Sequence, residues 1–489
     1  VEASRAENSS QQPDDLPVEG KSSRSSRAIA LLVAACFFME HLDSTVIATA
    51  LPQMAISFGE NPVDLNMGLS AYLFALAIFI PLSGWLAERL GARRVFATAI
   101  VVFTLASVLC GFSQSLWQFT CARVLQGLGG AMMVPVGRAV VLQATSKQDL
   151  LRSIAYLTWP ALFGPLIGPP LGGLITTYAS WPWIFYLNVP LGVVAFALTL
   201  RMIPPIPSEH QHPFDVIGFC LCGLASSCLL YGMELIGQPG ENWSLAVSLM
   251  IGSLFAGSLM IVHLLRTPHP LFDLRVFWYP TFQVTMLGGG LFRMVVGSTS
   301  FLFPQLFQVG FGYSAAKSGF LMLAIFAGNL GMKPATTFML RRYGIRRVLI
   351  VNGLICAATL WACTAIQAQT PVLVIMAILF AGGLSRSMQF TCLNTLAFSD
   401  IPPTLTGQAN VIFSLGRQLH IGVGIAAAAL SLRLSSLWTG SSIDLATAVP
   451  SLIDFQITLG LIGGMVVIST FDSWRLAHDA AAEVTGHRI

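Results

Sequence analysis

Phe37-Phe-Met-Glu-His-Leu-Asp-Ser-Thr-Val-Ile-Ala-Thr-Ala-Leu-Pro52 closes an apolar run that opens near Ala28, and it sets Glu40 and Asp43 inside what reads as a membrane span. A carboxylate at a bilayer centre costs roughly 2.5–3.5 kcal/mol even on the mild insertion scale, so its presence points to function. The two acids are three apart and share one helix face. They suit a proton or cation site on a water-filled cavity; the plain alternative is a pair near enough to the surface to reach water.

The rest of the chain fits a membrane setting. Of 489 residues, 55% are apolar and 10% charged, with mean hydropathy +0.73, against about 25% charged in a soluble domain. The apolar runs approach 20 residues, unlike the ~10-residue alternating segments of an outer-membrane barrel. The expected class is an all-α polytopic membrane protein. A net charge of +4 is no nucleic-acid signal, because the basic residues lie between hydrophobic spans. The nine cysteines form no CxxC pair, which suggests neither zinc nor a disulfide framework. Ala48-Thr-Ala50 resembles a signal-peptidase site, but the run before it is too long for a leader and contains Asp43.

Fourteen helices are predicted, near 28–50, 66–88, 95–113, 117–142, 153–179, 182–203, 214–236, 243–265, 281–309, 316–340, 347–367, 371–398, 407–433 and 454–473. One set of loops carries Arg89, Arg93, Arg94, Lys147, Arg152, Arg266, Arg275, Arg341, Arg342, Arg346 and Arg347; the other carries Glu60, Asp64, Glu241 and Asp444. The basic set is read as cytoplasmic, and with it both termini. Glu88-Arg-Leu-Gly-Ala-Arg-Arg-Val95 repeats as Arg341-Arg-Tyr-Gly-Ile-Arg-Arg-Val348, with Gly91 and Gly344 placed to end a helix. The organisation expected is a disordered tail over 1–27, a six-helix bundle over 28–205, and a linker with two additional helices over 206–280. A second six-helix bundle over 281–474 and a cytoplasmic tail over 475–489 complete it. Two such bundles around a midplane site form a recurring transporter plan.

Gly84-Trp-Leu-Ala-Glu-Arg-Leu-Gly-Ala-Arg-Arg94 resembles the signature loop of the major facilitator superfamily. Leu42-Asp-Ser-Thr-Val-Ile-Ala-Thr-Ala-Leu-Pro52 resembles the first-helix motif of its fourteen-helix drug:proton antiporter branch, the EmrB/QacA type. Arg123-Val-Leu-Gln-Gly-Leu-Gly-Gly-Ala131 is similar to the fourth-helix motif, and Gly164-Pro-Leu-Ile-Gly-Pro-Pro-Leu-Gly-Gly173 to the fifth-helix antiporter motif. The resemblance implies a proton-coupled antiporter of the inner membrane that exports small organic molecules or drugs by alternating access. Its partners would be the substrate, protons and the bilayer, without cofactor or metal; the chain names no periplasmic adaptor. An organic-anion transporter and a non-transporting receptor are the alternatives, and no catalytic constellation or Walker loop suggests an enzyme.

The residues give each motif a physical reading. Arg123, about two turns inside its helix, needs an anionic partner; beside Asp43 it would compete with a proton, timing release and uptake. Glu88, Arg89, Arg93 and Arg94 follow Gly84 around the Gly91 turn; in the family reading they latch the two halves at the cytoplasmic face. Gly164, Gly168, Gly172 and Gly173 leave a smooth stripe, and Pro165, Pro169 and Pro170 remove helix donors, so a hinge or a tight seam between the halves is expected. In the second bundle Arg293, Arg386, Arg417 and His420 are candidate cavity residues that hint at anionic or zwitterionic substrates. Arg138 and Lys333 are read as snorkelling, Glu234 as interfacial, and Asn242-Trp-Ser244 as an outer-side sequon.

Overall fold

A computed structural model describes residues 19–47, 50–60, 65–145, 149–205, 213–237, 243–440 and 450–486. No strand occurs among them. In hydrocarbon every backbone donor and acceptor must be met internally, and helices do so within one segment. The main helices are α1 (Glu19–Val46), α2 (Asn66–Leu90), α3 (Ala92–Phe112), α4 (Leu116–Gln143), α5 (Leu150–Tyr178), α6 (Asn188–Met202), α7 (Val216–Gly237) and α8 (Trp243–Arg266). They continue as α9 (Gly288–Gln305), α10 (Ala315–Gly331, resumed over Lys333–Tyr343), α11 (Ile345–Thr364), α12 (Val372–Ser399), α13 (Pro403–Trp438) and α14 (Leu452–Asp472). Among the described residues, twelve helical stretches are long and apolar enough to cross a membrane; α5 and α10 are not among the twelve. A turn at Met332 divides α10, leaving Ala315–Gly331 at 17 residues.

Helix α1 starts at Glu19 and not near 28, so part of the expected tail is helical. Ala48 and Thr49, most of the Pro-rich junction (206–212), Asn242 and Asp444 lie outside the described residues. At the other end, Ala482–Thr485 forms a helical turn that touches α5, α12 and the Lys333–Tyr343 segment, with Val484 and Thr485 buried.

The repeat seen in the sequence extends through the fold. Helix α1 packs on α5 and α6, α2 on α4, and α3 on α4 and α6; α9 packs on α13 and α14, α10 on α12, and α11 on α12 and α14. Adding eight to each helix number in the first group gives the second. The turns match as well. Gly91 (φ 84°) and Gly344 (φ 75°) each donate an amide to a carbonyl four residues back, at 3.0 Å. Two residues on, Arg93 Nη2 donates to the Leu200 carbonyl and Arg346 Nη2 to the Trp474 carbonyl, each near the end of the last helix of its group.

Between the groups, α7 lies against both α2 and α13, while α8 packs chiefly on α7. Aromatic pairs run along α2 and α7: Trp85–Phe214 at 4.9 Å, Phe79–Phe219 at 6.1 Å and Phe74–Tyr231 at 6.3 Å. Ser70 donates to Glu234 at 2.8 Å, so Glu234 is tied to α2. Asp215, which the sequence reading passed over, clasps the arginine-rich end of this hairpin. It accepts from the Gly218 amide (2.8 Å), His263 Nε2 (2.8 Å) and the Leu271 amide (3.0 Å). Burial pushes its carboxyl up, but these bonds outweigh that and hold it below the ordinary value. A depressed folded-state value stabilises above the unfolded value, about 3.9, and is lost as pH falls through the folded one. Asp215→Asn should therefore lower the melting temperature at neutral pH, by the order of one net hydrogen bond, about 1 kcal/mol. In melts at descending pH, the gap from wild type should close below pH ~4.

Candidate functional site

Asp43 sits at the centre of a polar knot drawn from five helices. Its Oδ2 accepts from Arg123 Nη1 at 2.7 Å, and its Oδ1 accepts from Gln126 Nε2 at 2.8 Å and Asn188 Nδ2 at 2.9 Å. Arg123 and Gln126 are one turn apart on α4, so one helix face presents both; Arg123 Nη1 also donates to Gln126 Oε1 at 2.5 Å. Ser107 on α3 accepts from Gln126 and Asn188, at 2.8 and 3.2 Å. None of these side chains meets solvent: Asp43 is 2% exposed, Arg123 and Asn188 1%. Taking an ion pair out of water is repaid only where the remaining valences are filled, as at Asp43.

The knot continues to Glu40. The Arg123 guanidinium lies 4.3 Å from the Tyr72 ring centroid, a cation–π contact, and the Tyr72 hydroxyl donates to Glu40 Oε1 at 3.3 Å. Glu40 is buried, and its Oε2 has no hydrogen-bond partner among the described residues. The structure thus brings Glu40, Asp43 and Arg123 together through Tyr72. The sequence reading missed Tyr72, Gln126, Ser107 and Asn188. Gln126 lay inside the quoted Arg123–Ala131 motif; Asn188 carried no signal beyond being polar at a helix start.

Across the interface, Phe413 on α13 faces two guanidinium groups: Arg293 at 4.6 Å and Arg138 at 5.1 Å from its ring centroid. Arg138 therefore does not snorkel; its Nη1 is buried and has no partner among the described residues. Arg417, one turn from Phe413, has a buried Nε with no partner among the described residues. His420 flanks Gly290 on α9, where a β-carbon would meet its ring at 2.5 Å. Arg386 stands apart: it donates to Thr299 and lines a separate, mainly apolar recess with Cys356, Cys363 and Phe292. Lys333 does not reach for the surface either, but donates to Thr391 at 2.9 Å.

At the arginine-rich end the first group meets α13. A β-carbon on Gly84 would lie 2.8 Å from Val411, Gln408 Nε2 donates to Glu88 at 3.2 Å, and Asn410 Nδ2 donates to the Pro135 carbonyl at 2.6 Å. The arginines do not follow the expected latch: Arg89 lies over Trp85 at 5.0 Å, Arg93 binds Leu200 in its own group, and Arg94 is exposed. The glycine stripe of α5 also faces its own group. β-Carbons on Gly164 and Gly168 would strike His41, Leu42 and Thr45 of α1, and Thr45 Oγ1, which donates to the His41 carbonyl at 2.8 Å, lies 3.3 Å from the Gly164 carbonyl. The seam expected between the halves is thus an α1–α5 seam, because the close approach needs a glycine face and α1 offers its backbone there. Gly172 is buried and its carbonyl accepts from Thr176; a β-carbon on Gly173 would meet nothing within 4 Å among the described residues. The side chains of Pro165, Pro169 and Pro170 lie outside the described residues. No group of three or more potential metal ligands occurs among the described residues.

A protein of Salmonella paratyphi B named for multidrug resistance, MdtD, is 37% identical over 404 residues, covering 82% of this chain and 85% of that one. An MdtD of Escherichia coli O6:H1 is equally similar over 407 residues. Among solved structures, the proton:xylose symporter XylE superposes with TM-score 0.62 at 13% identity, covering 93% of this chain and 96% of that one. The human organic anion transporter MFSD10 superposes with TM-score 0.59 at 16% identity, covering 94% and 100%; at such identities the likeness is one of fold. The family model for the Major Facilitator Superfamily matches residues 33–427, and the chain belongs to that superfamily.

Proposed function

We propose that this protein exports small organic molecules across the cytoplasmic membrane in exchange for protons, by alternating access. The observation that carries the reading is the buried Asp43–Arg123 pair and its link through Tyr72 to Glu40. The names of the 37%-identical relatives point the same way. In this reading all fourteen helices cross, both termini are cytoplasmic, and residues 28–205 and 281–474 form the two bundles around the linker helices of 206–280. Glu40 Oε2 accepts from no donor among the described residues, whereas Asp43 Oδ2 is already held by Arg123. Substrate entering the central site and a proton leaving Asp43 or Glu40 would then compete for one conformational cycle. The Gly84–Val411 and Glu88–Gln408 contacts would close the cytoplasmic side, and the α5 glycines would keep α1 in step with α5.

The test is purified protein in liposomes with an imposed pH gradient and a dye inside that reports protons. Adding a transported compound should dissipate the gradient only when protein is present, with the compound moving against the proton. Proton movement insensitive to every compound tried would sink the reading; movement of compound with the proton would make it an uptake carrier.

A further inference from the structure

The central arginines hold more donors than the protein itself uses. Arg293 is 1% exposed and spends Nη1 on the Thr285 carbonyl at 2.8 Å, yet its Nε and Nη2 have no partner among the described residues. Those two nitrogens form one edge of the guanidinium plane, the fork that meets both oxygens of a carboxylate with two parallel hydrogen bonds. Leaving buried donors unmet costs about 1–3 kcal/mol each, so an empty fork in a sealed position is costly unless something fills it. Arg138 Nη1 and Arg417 Nε are buried and likewise unmet among the described residues. Arg417 lies within electrostatic reach of Arg138, Arg293 and Glu40. Four helices (α1, α4, α9 and α13) thus bring three guanidinium groups and one carboxylate to one place, an excess of two positive charges. Glu40 does not fill the fork, for its own Oε2 is unmet among the described residues.

We propose that this cluster is a receptor for the carboxylate of a small organic anion, seated on the free Nε/Nη2 edge of Arg293 with Arg138 and Arg417 supplying the remaining charge. The inference rests on the export reading and narrows its cargo: the site is matched to anionic compounds, not lipophilic cations. Phe413 aligns the receptor, since its ring packs against both Arg138 and Arg293.

The experiment compares binding of benzoate, phthalate and 1-naphthoate to purified protein by calorimetry with binding of the corresponding amides and benzylamine. At least one acid should bind ten-fold or more tighter than its amide, and Arg293→Lys, which keeps the charge but loses the fork, should erase that preference. Amides or amine binding as well as every acid would overturn the proposal. So would a preference that survives in Arg293→Lys. The wild-type comparison stands even if the variant does not fold. Proteoliposome flux separates the two readings. Acids that bind but drive no proton movement would support the receptor and count against export; proton-driven export of amines with no acid binding would do the reverse.

Discussion

Asp43→Asn should abolish substrate-driven proton movement, reducing it to the level of protein-free liposomes, and should also destabilise the protein. Among the described residues, Asp43 is the ion-pair partner of a guanidinium that is 1% exposed, and removing one member of a buried pair costs about 3–5 kcal/mol. Those two losses have different causes, and the double variant Asp43→Asn/Arg123→Gln separates them. Replacing both charges leaves no orphan, so most of the stability should return in detergent melts, while coupling should remain absent. If the double variant transported as wild type does, the pair would be a structural clasp and nothing more. If Asp43→Asn alone retained full coupling, Glu40 would be left as the proton carrier.

The second large effect is steric. Gly297 on α9 and Gly424 on α13 face each other so closely that a β-carbon on Gly424 would meet the Met294 carbonyl, and one on Gly297 the Ile421 carbonyl. Ser298 Oγ donates to the Gly424 carbonyl at 2.7 Å across the same contact. Backbone cannot step aside as a side chain can, so the helices must separate. Gly424→Ala and Gly297→Ala should each lose about 1–3 kcal/mol or more through overpacking, read as a lowered melting temperature and reduced yield of folded protein. Gly464→Ala, at a position with nothing within 4 Å among the described residues, should be neutral or slightly stabilising, since alanine is the better helix former by up to ~1 kcal/mol. Equal behaviour of all three would show that the close approach is not limiting.

How much of this could be read from the chain depends on contrast. Glu40, Asp43 and Arg123 stand out because each is a charge in an apolar run, and the structure gathers all three. Ser107, Gln126 and Asn188 complete the same knot without standing out, because uncharged polar groups are scattered along most of the helices. The Gly91 and Gly344 turns were legible since the polar residues around them repeat in order. Glycine packing was legible only as a stripe. With 44 glycines, the sequence marks smooth faces but not the helix each face meets, so Gly164 and Gly168 were assigned to the wrong neighbour and Gly297 and Gly424 passed unnoticed. Arg138 and Lys333 were misplaced for a related reason: a long cation near a helix end can turn outward, and only the position of Phe413 or Thr391 decides that it turns inward.

The twin seams have a mechanical consequence. Gly164 against the α1 backbone, and Gly424 against the α9 backbone, hold two helices in each group at a spacing no rotamer change can relax. Nitroxide labels on α1 and α5, or on α9 and α13, should report one fixed separation throughout turnover. All measurable travel would then be confined to the borders between the groups, α5 against α10 and α12, and α2 and α4 against α13, like panels of a folding screen that bend only where they are hung.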